Sequence, residues 1–297
     1  MIYTLTFNPA IDYTLFADKF NIGEINRSKS ELIHFGGKGI NVSLILKELG
    51  ISSTALGFIA GFTGEAIKNG IACDEIKPDF IELENGNSRI NVKIRSGVET
   101  DINANGPEIS KNDIEKLFKK LNTLNEGDYL ILAGSIPSSL PQNIYEKILE
   151  HLNNKNINFV VDAEKNLLLN TLKYKPFLIK PNINELEDIF SVTITNKAEA
   201  LKYAHRLSDL GAKNVLVSMG GEGAVLLNEN KNEHQTYAVG TVFKNSVGAG
   251  DSMVAGFIAG YIQKGDYSYA LKLGAAAGGA TACSDGLATK EEILNLL

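Results

Sequence analysis

Residues 248–251 read Gly-Ala-Gly-Asp and lead straight into a helix-forming stretch, "GAGDSMVAGFIAGYIQKG" (248–265). A helix start carries unpaired backbone N–H groups and the positive end of the helix dipole. Glycines at such a start let successive N–H groups converge on one point, which makes an anion site without a side-chain cation. Asp251 would set a carboxylate beside the site formed by Gly248, Ala249 and Gly250. A carboxylate next to a bound anion suits proton transfer beside a transferred group. Asp is also a common helix N-cap, and the residues alone leave both readings open.

The helix that follows has one broad stripe of large apolar residues, such as Met253, Phe257 and Tyr261, and another of small ones, Ala255, Gly256, Ala259 and Gly260. Glycine inside a helix costs about 1 kcal/mol relative to alanine, so something must approach closely there. Either a packed element or a flat ligand would do, and "LGAAAGGATACSDG" (273–286) repeats the theme.

The elements that must hold these residues alternate. Strand candidates are "IYTLTF" (2–7), "TALGFI" (54–59), "YLILAG" (129–134), "NFVVDA" (158–163), "FLIKPN" (177–182) and "NVLVSMG" (214–220). Between them lie helical patterns: Val42, Ile45, Leu46 and Leu49; Ile114, Leu117, Phe118 and Leu121; Ile144, Ile148, Leu149 and Leu152. This predicts an α/β fold with a mainly parallel sheet covered by helices on both faces. Ligands in such folds sit outside the carboxyl ends of the strands. Polar residues stand at five of those ends: Asn8, Ser135, Asp162, the Lys180–Asn182 run and Ser218.

Segments of about 12–35 and 86–103 break the rhythm with alternating, polar-rich stretches such as "SRINVKIRSGVETDIN". They predict a small second sheet inserted as a lid into a single unit of 1–297. The alternation puts Arg89, Asn91, Lys93 and Arg95 on one strand face.

Composition excludes several classes. The chain has 297 residues, 44% hydrophobic and 22% charged, with 29 basic against 35 acidic side chains and a net charge of −6. That is ordinary globular composition without the basic bias of a nucleic-acid or membrane surface. Cys73 and Cys283 form no CxxC pair, and the four histidines show no ligand spacing. No apolar run approaches membrane-spanning length, and the start "MIYTLTFNPAID" lacks the features of a signal peptide, so a cytoplasmic protein is expected. The common nucleotide motifs fail. Lys38 is followed by Gly39 rather than Ser or Thr, and the third slot of a GxGxxG is Val42 in one place and Met253 in the other.

Four stretches in order, "GGKGINVS" (36–43), "KPNINELE" (180–187), "VSMGGEGA" (217–224) and "NSVGAGDSMVAGF" (245–257), resemble the ribokinase-like, or PfkB, carbohydrate kinases. The likeness spans essentially the whole chain. It implies a ribokinase-like fold, ATP as co-substrate, Mg²⁺, and a homodimer formed through the lid. It makes Asp251 the general base and the Gly248–Gly250 backbone, with Ala249, the anion hole. For the substrate it implies Asp12, Arg27, Gly36, Gly37, Lys38, Asn41, Arg89, Asn91 and Ser135. Lys93 and Arg95 read as ordinary solvated strand charges. For ATP it implies Lys180, Asn182, Ser218, Gly220 and Gly223, with Ala276 and Ala280 near adenine. Asn182 and Glu185 match the family's Asn-x-x-Glu, implied to order Mg²⁺ through water, although Asn followed by Glu three residues on is equally a helix cap.

Within the family, "TLTFNPAIDYT", "GFIAGFTGEAI" and "KYKPFLIKPNINELEDIF" are most similar to kinases of sugar phosphates. The implied reaction transfers phosphate from ATP to the C6 hydroxyl of fructose 1-phosphate. Tagatose 6-phosphate and fructose 6-phosphate are the alternative acceptors, and a non-catalytic sugar-phosphate-binding regulator is the alternative of a different class.

Overall fold

The computed structural model describes residues 1–163, 165–240, 243–244 and 246–297. Asn245, the first residue of the fourth stretch, lies outside them. Strand β1 (Ile2–Thr6) starts a large sheet, and the chain then leaves it for β2 (Ala10–Phe16) and β3 (Ser30–Gly36) of a second sheet. Helix α1 (Lys38–Glu48) leads back to β4 (Ser53–Ala60), α2 (Gly61–Ile71) and the short strands β5 (Ile76–Pro78) and β6 (Ile81–Leu83). Strands β7 (Arg89–Ser96) and β8 (Val98–Ile102) complete the second sheet.

From there helices and strands alternate: α3 (Lys111–Leu121), β9 (Tyr129–Ala133), α4 (Ile144–Leu152), β10 (Asn158–Asp162), α5 (Lys165–Leu169), β11 (Leu178–Ile179) and α6 (Ile183–Phe190). After α7 (Lys197–Asp209) come β12 (Asn214–Ser218), β13 (Ala224–Leu227) and β14 (Glu233–Thr236). The chain closes with α8 (Ala249–Lys264), α9 (Tyr267–Cys283) and α10 (Lys290–Leu294).

The large sheet has the order β14-β13-β12-β11-β10-β9-β1-β4-β5, with β6 also paired to β4. It is parallel from β12 to β5 and antiparallel where β13 and β14 are added. The six expected strands and three expected helices form, with one correction. Strand β11 is only two residues long, because Pro181 has no N–H to donate and interrupts the pairing, which resumes as a single bridge between Asn182 and Ser218.

Side chains along the buried strands alternate between two cores, as a sheet covered on both faces requires. Leu130, Leu132, Phe159, Val161, Val215 and Val217 pack toward α3, α4, α6 and α7. Ile131, Val160 and Leu216 pack toward α1, α8 and α9. The glycines of the small-residue stripes meet the partner helix. A Cβ on Gly256 would lie 2.6 Å from the Leu273 carbonyl oxygen, and one on Gly274 would lie 2.9 Å from that of Met253. Close helix–helix contact therefore accounts for the glycines inside α8 and α9.

The second sheet has the order β3-β2-β7-β8. Strands β2 and β7 run parallel, which sets Asp12 opposite Asn91, while antiparallel β3 sets His34 on its other side. Residues 17–29 connect β2 to β3 as an exposed loop.

Candidate active site

A cleft of about 950 Å³ opens at the carboxyl ends of β10, β11 and β12. It is lined by Asp162 from the end of β10, Lys180 just after β11 and Ser218 from the end of β12. The start of α8 forms its floor, and Asp12, Arg89, Asn91 and Lys93 of the second sheet face it.

Gly248 is the N-cap of α8, in the left-handed region at φ 79°, and no side chain caps the helix. Asp251 is not the cap: it sits three residues further on, 5% exposed, in the first turn. Its Oδ2 accepts a hydrogen bond of 2.8 Å from Asn41 Nδ2 of α1. Burial, reinforced by the negative charge of Asp162, raises the Asp251 carboxyl to about 6, against the opposing pull of Asn41, Lys38 and Lys180.

Lys38 is the first residue of α1 and approaches Asp162 Oδ2 at 3.4 Å, while Lys180 approaches Asp162 Oδ1 at 3.3 Å. Asp162 is 3% exposed. Burial opposes its ionisation, but Lys180 and Lys38 outweigh it and hold the carboxyl below its ordinary value. Burial likewise works against the charge of Lys38, and Asp162, Asp251 and Glu185 together raise its pKa regardless. Gly37, at φ 120°, lets the chain turn into α1 against Thr6, whose Cγ2 would be 2.5 Å from a Cβ there.

On the lid side, Asp12 Oδ1 accepts from Asn91 Nδ2 at 2.8 Å and its Oδ2 lies 3.4 Å from Lys93 Nζ. Lys93 is thus a cleft residue, 12% exposed, and not a solvated strand charge. Arg95 departs from that expectation too: its Nη1 donates to Asp101 Oδ1 at 2.7 Å, and it lines an adjoining cavity that shares Asp12, Asn41 and Lys93 with the cleft. Arg89 donates through Nε to the Asn8 carbonyl at 3.2 Å, and burial lowers its pKa with Asp12 opposing.

Asn182 and Glu185 form a reciprocal helix cap. Asn182 Oδ1 accepts from the Glu185 amide at 2.8 Å, and Glu185 Oε2 accepts from the Asn182 amide at 2.7 Å. Both also line the cleft, as do Ser218, Gly220 and Gly223. Among the described residues no group of three or more His, Cys, Asp or Glu could hold a metal ion. The amide of Asn182 and the carboxylate of Glu185 are donors of the kind that could hold the water ligands of an ion.

Other expected residues lie elsewhere. Ala276 and Ala280 are buried in the core, because the face of α9 turned to the cleft carries Ala275, Gly278, Gly279 and Ala282. Arg27 is exposed on the 17–29 loop and Ser135 is exposed after β9, both outside the cleft lining. Gly36 lines the adjoining cavity, with Asp12 Oδ2 2.9 Å from where its Cβ would stand. Asp101, Asn103, Val239 and Gly240 join the lining with no motif to announce them. Asp162 was visible only as one of the polar strand ends.

The chain belongs to the pfkB family carbohydrate kinases, whose model matches residues 5–294. It is similar to 1-phosphofructokinase of Bacillus subtilis, at 44% identity over 100% of this chain and 97% of the relative. It is also similar to D-tagatose-1-phosphate kinase of Bacillus licheniformis, at 38% identity over 97% and 94%. The fold is shared with the crystal structure of phosphofructokinase-2 from Escherichia coli, with a TM-score of 0.93, 24% identity and 99% and 97% of the two chains covered. Among the described residues no helix is long and apolar enough to cross a membrane.

Proposed function

We propose that the protein transfers the γ-phosphate of ATP to the C6 hydroxyl of fructose 1-phosphate, giving fructose 1,6-bisphosphate. The observation that carries this reading is a carboxylate, Asp251, buried in the first turn of a helix without a side-chain cap, in a cleft that also holds Lys38 and Lys180 and is faced by Arg89 and Lys93 of the lid. A purely binding protein gains nothing from burying an ionisable group whose charged form is disfavoured. A general base gains a pKa close to its working pH.

Asp251 takes the proton of the attacking hydroxyl. The alkoxide oxygen bonds to the γ-phosphorus, the bond from phosphorus to the bridging oxygen breaks, and its electron pair leaves with ADP. Backbone N–H groups of Gly248 and Gly250 meet the charge that spreads over the equatorial oxygens, and that of Ala249, which donates to the Ser246 carbonyl at 3.3 Å, turns from it to the phosphate. Lys180, Ser218, Gly220 and Gly223 lie along the nucleotide. When Mg²⁺ is bound with the nucleotide it neutralises phosphate charge, and Asn182 and Glu185 would hold its water shell.

Asp12, oriented by Asn91 and Lys93, accepts from sugar hydroxyls, and Lys38 and Arg89 pair with the substrate's phosphate. Asn41, Gly36 and Gly37 shape that end. Arg27 and Ser135, outside the cleft, are left out of it. The lid closes over the sugar and keeps water from the phosphoryl group. Its other face carries an apolar cross-strand row, Ile33, Tyr13, Val92 and Ile102, with Ile33 and Ile102 exposed. That row supports a homodimer built lid to lid, and a monomeric mass in light scattering would argue against it.

The test offers Mg-ATP with fructose 1-phosphate, tagatose 1-phosphate, fructose 6-phosphate, tagatose 6-phosphate and ribose, and compares kcat/KM. Fructose 1-phosphate is expected to give the highest value. Tagatose 1-phosphate, favoured by the Bacillus licheniformis relative, is the second reading, and a higher value for it would replace the first. No transfer to any of the sugars would overturn both.

A further inference from the structure

We propose that Asp162 is a positioning residue that holds the ammonium groups of Lys38 and Lys180, that of Lys180 at the mouth of α8, and keeps both from pairing with Asp251. This rests on the kinase reading above.

The three groups come from separate parts of the fold: the last residue of β10, the first residue of α1 and the residue after β11. Each Asp162 oxygen takes one ammonium, Oδ1 that of Lys180 at 3.3 Å and Oδ2 that of Lys38 at 3.4 Å. Asp162 and Lys180 are 3% and 6% exposed, so neither charge is satisfied by bulk water. Lys180 Nζ stands 3.3 Å from where a Cβ on Gly250 would be, and so lies at the helix mouth itself.

The charges of Lys38, Lys180, Asp162 and Asp251 sum to zero within one cleft. Without Asp162, Lys180 would be left to Asp251, and Lys38 to Asp251 and Glu185, and an ion pair at Asp251 would hold the base in its charged, weakly basic form. With Asp162 in place the lysines are held elsewhere, and Asp251 is engaged by the neutral amide of Asn41. The Lys180 ammonium then faces the place where phosphoryl charge develops, without reorganising as it forms, while Lys38 is held toward the substrate's own phosphate.

Asp251 is faced by Lys38 from α1, Lys180 after β11 and Asp162 from β10, and Glu185 of α6 acts on Lys38. Removing the charge of Asp162 therefore lowers the pKa of Asp251 and frees the lysines to lower it further. In Asp162→Asn, kcat is expected to fall about 10–10²-fold. KM for the sugar should rise as Lys38 is released from its place beside the substrate's phosphate, and the acid limb of the pH profile should move below its wild-type position. Loss of the Asp162 charge moves that limb by itself, so the coupling between Asp162 and Lys180 is what separates anchoring of the lysine from a bare charge effect.

Asp162→Asn leaves Lys180 buried without its partner, which endangers folding. The double variant Asp162→Asn with Lys180→Met removes both charges. If Asp162 works through the lysine, the double variant loses less activity than the product of the two single losses, and its acid limb still lies below that of Lys180→Met alone. If Asp162→Asn does not fold, the kcat of the double variant is compared with that of Lys180→Met: only a small further loss is expected, and a further loss as large as that foreseen for Asp162→Asn alone would overturn the proposal. An unmoved kcat and acid limb in folded Asp162→Asn, multiplicative losses in the double variant, or a double variant whose limb matches Lys180→Met would overturn the proposal. A wild-type protein that phosphorylates no acceptor overturns the kinase reading and this inference with it. An active wild type with any of the other results overturns this inference alone.

Discussion

Two helix starts face the same cleft and are finished in opposite ways. Helix α6 is closed by a reciprocal cap, with the side chains of Asn182 and Glu185 each taking the other's backbone N–H. Helix α8 begins at a glycine in the left-handed region, and no side chain caps it. A capped start has spent its donors on the protein and contributes mainly stability. A start without a side-chain cap beside a cleft keeps its dipole for an anion, although the Ala249 N–H of α8 is drawn to the Ser246 carbonyl at 3.3 Å. Two aspartates, Asp251 and Asp162, divide in the same manner. One is raised by burial and engaged by a neutral amide. The other is lowered by two ammonium groups and serves as their anchor.

The largest expected effect separates the two starts directly. Asp251→Asn is expected to lower kcat by about 10²–10⁴-fold, as loss of a general base does, and a coupled ADP assay would measure it. The same substitution should raise the Tm at pH 7. The folded carboxyl titrates at about 6, above the unfolded value of about 3.9, so its charged form costs the native state stability above pH 6 and none below pH 4. A Tm gain at pH 7 that disappears near pH 4 would sharpen the contrast, and a Tm loss at pH 7 would break it.

Gly250→Ala is the next test. Gly250 has ordinary helical backbone, and its new methyl would meet only Lys180, at 3.3 Å from Nζ and 3.5 Å from Cε. Stability should hold or improve slightly, while kcat falls about 10–10²-fold because the lysine and the anion are displaced. Glu185→Gln retains an acceptor for the Asn182 amide but loses the charge. It is expected to raise the Mg²⁺ concentration for half-maximal rate by about tenfold with the Tm unchanged. Asn182→Ala should cost about 1 kcal/mol of stability in denaturant unfolding, the usual loss for an N-cap. If Glu185→Gln alters only stability, the cap at α6 has no part in the chemistry.

Much of this contrast was legible in the sequence. Glycines before an aspartate and a small-residue helix mark the mouth of α8, and continuous apolar strands mark a sheet covered on both faces. What was not legible depended on phase and pairing. The apolar and small residues of α9 surround the helix, so composition could not say whether Ala276 or Ala275 faces the cleft. The alternation of β7 set Arg89, Asn91, Lys93 and Arg95 on one face, but a strand cannot announce that Asp12 of β2 lies within reach and draws Lys93 out of solvent. Asn-x-x-Glu fits both a cap and a metal-ordering pair because the two uses need the same donors and acceptors at the same spacing. Asp162 looked like a turn residue at a strand end, and only the folded chain brings two lysines from distant segments to its carboxylate.

The most direct test of the central claim, that a buried carboxylate at an open helix mouth is the base, is the pH dependence of kcat/KM for fructose 1-phosphate at saturating Mg-ATP. The claim requires the rate to fall tenfold per pH unit below about pH 6, where Asp251 takes up its proton. A profile that stays flat down to about pH 5, with stability intact, would contradict it.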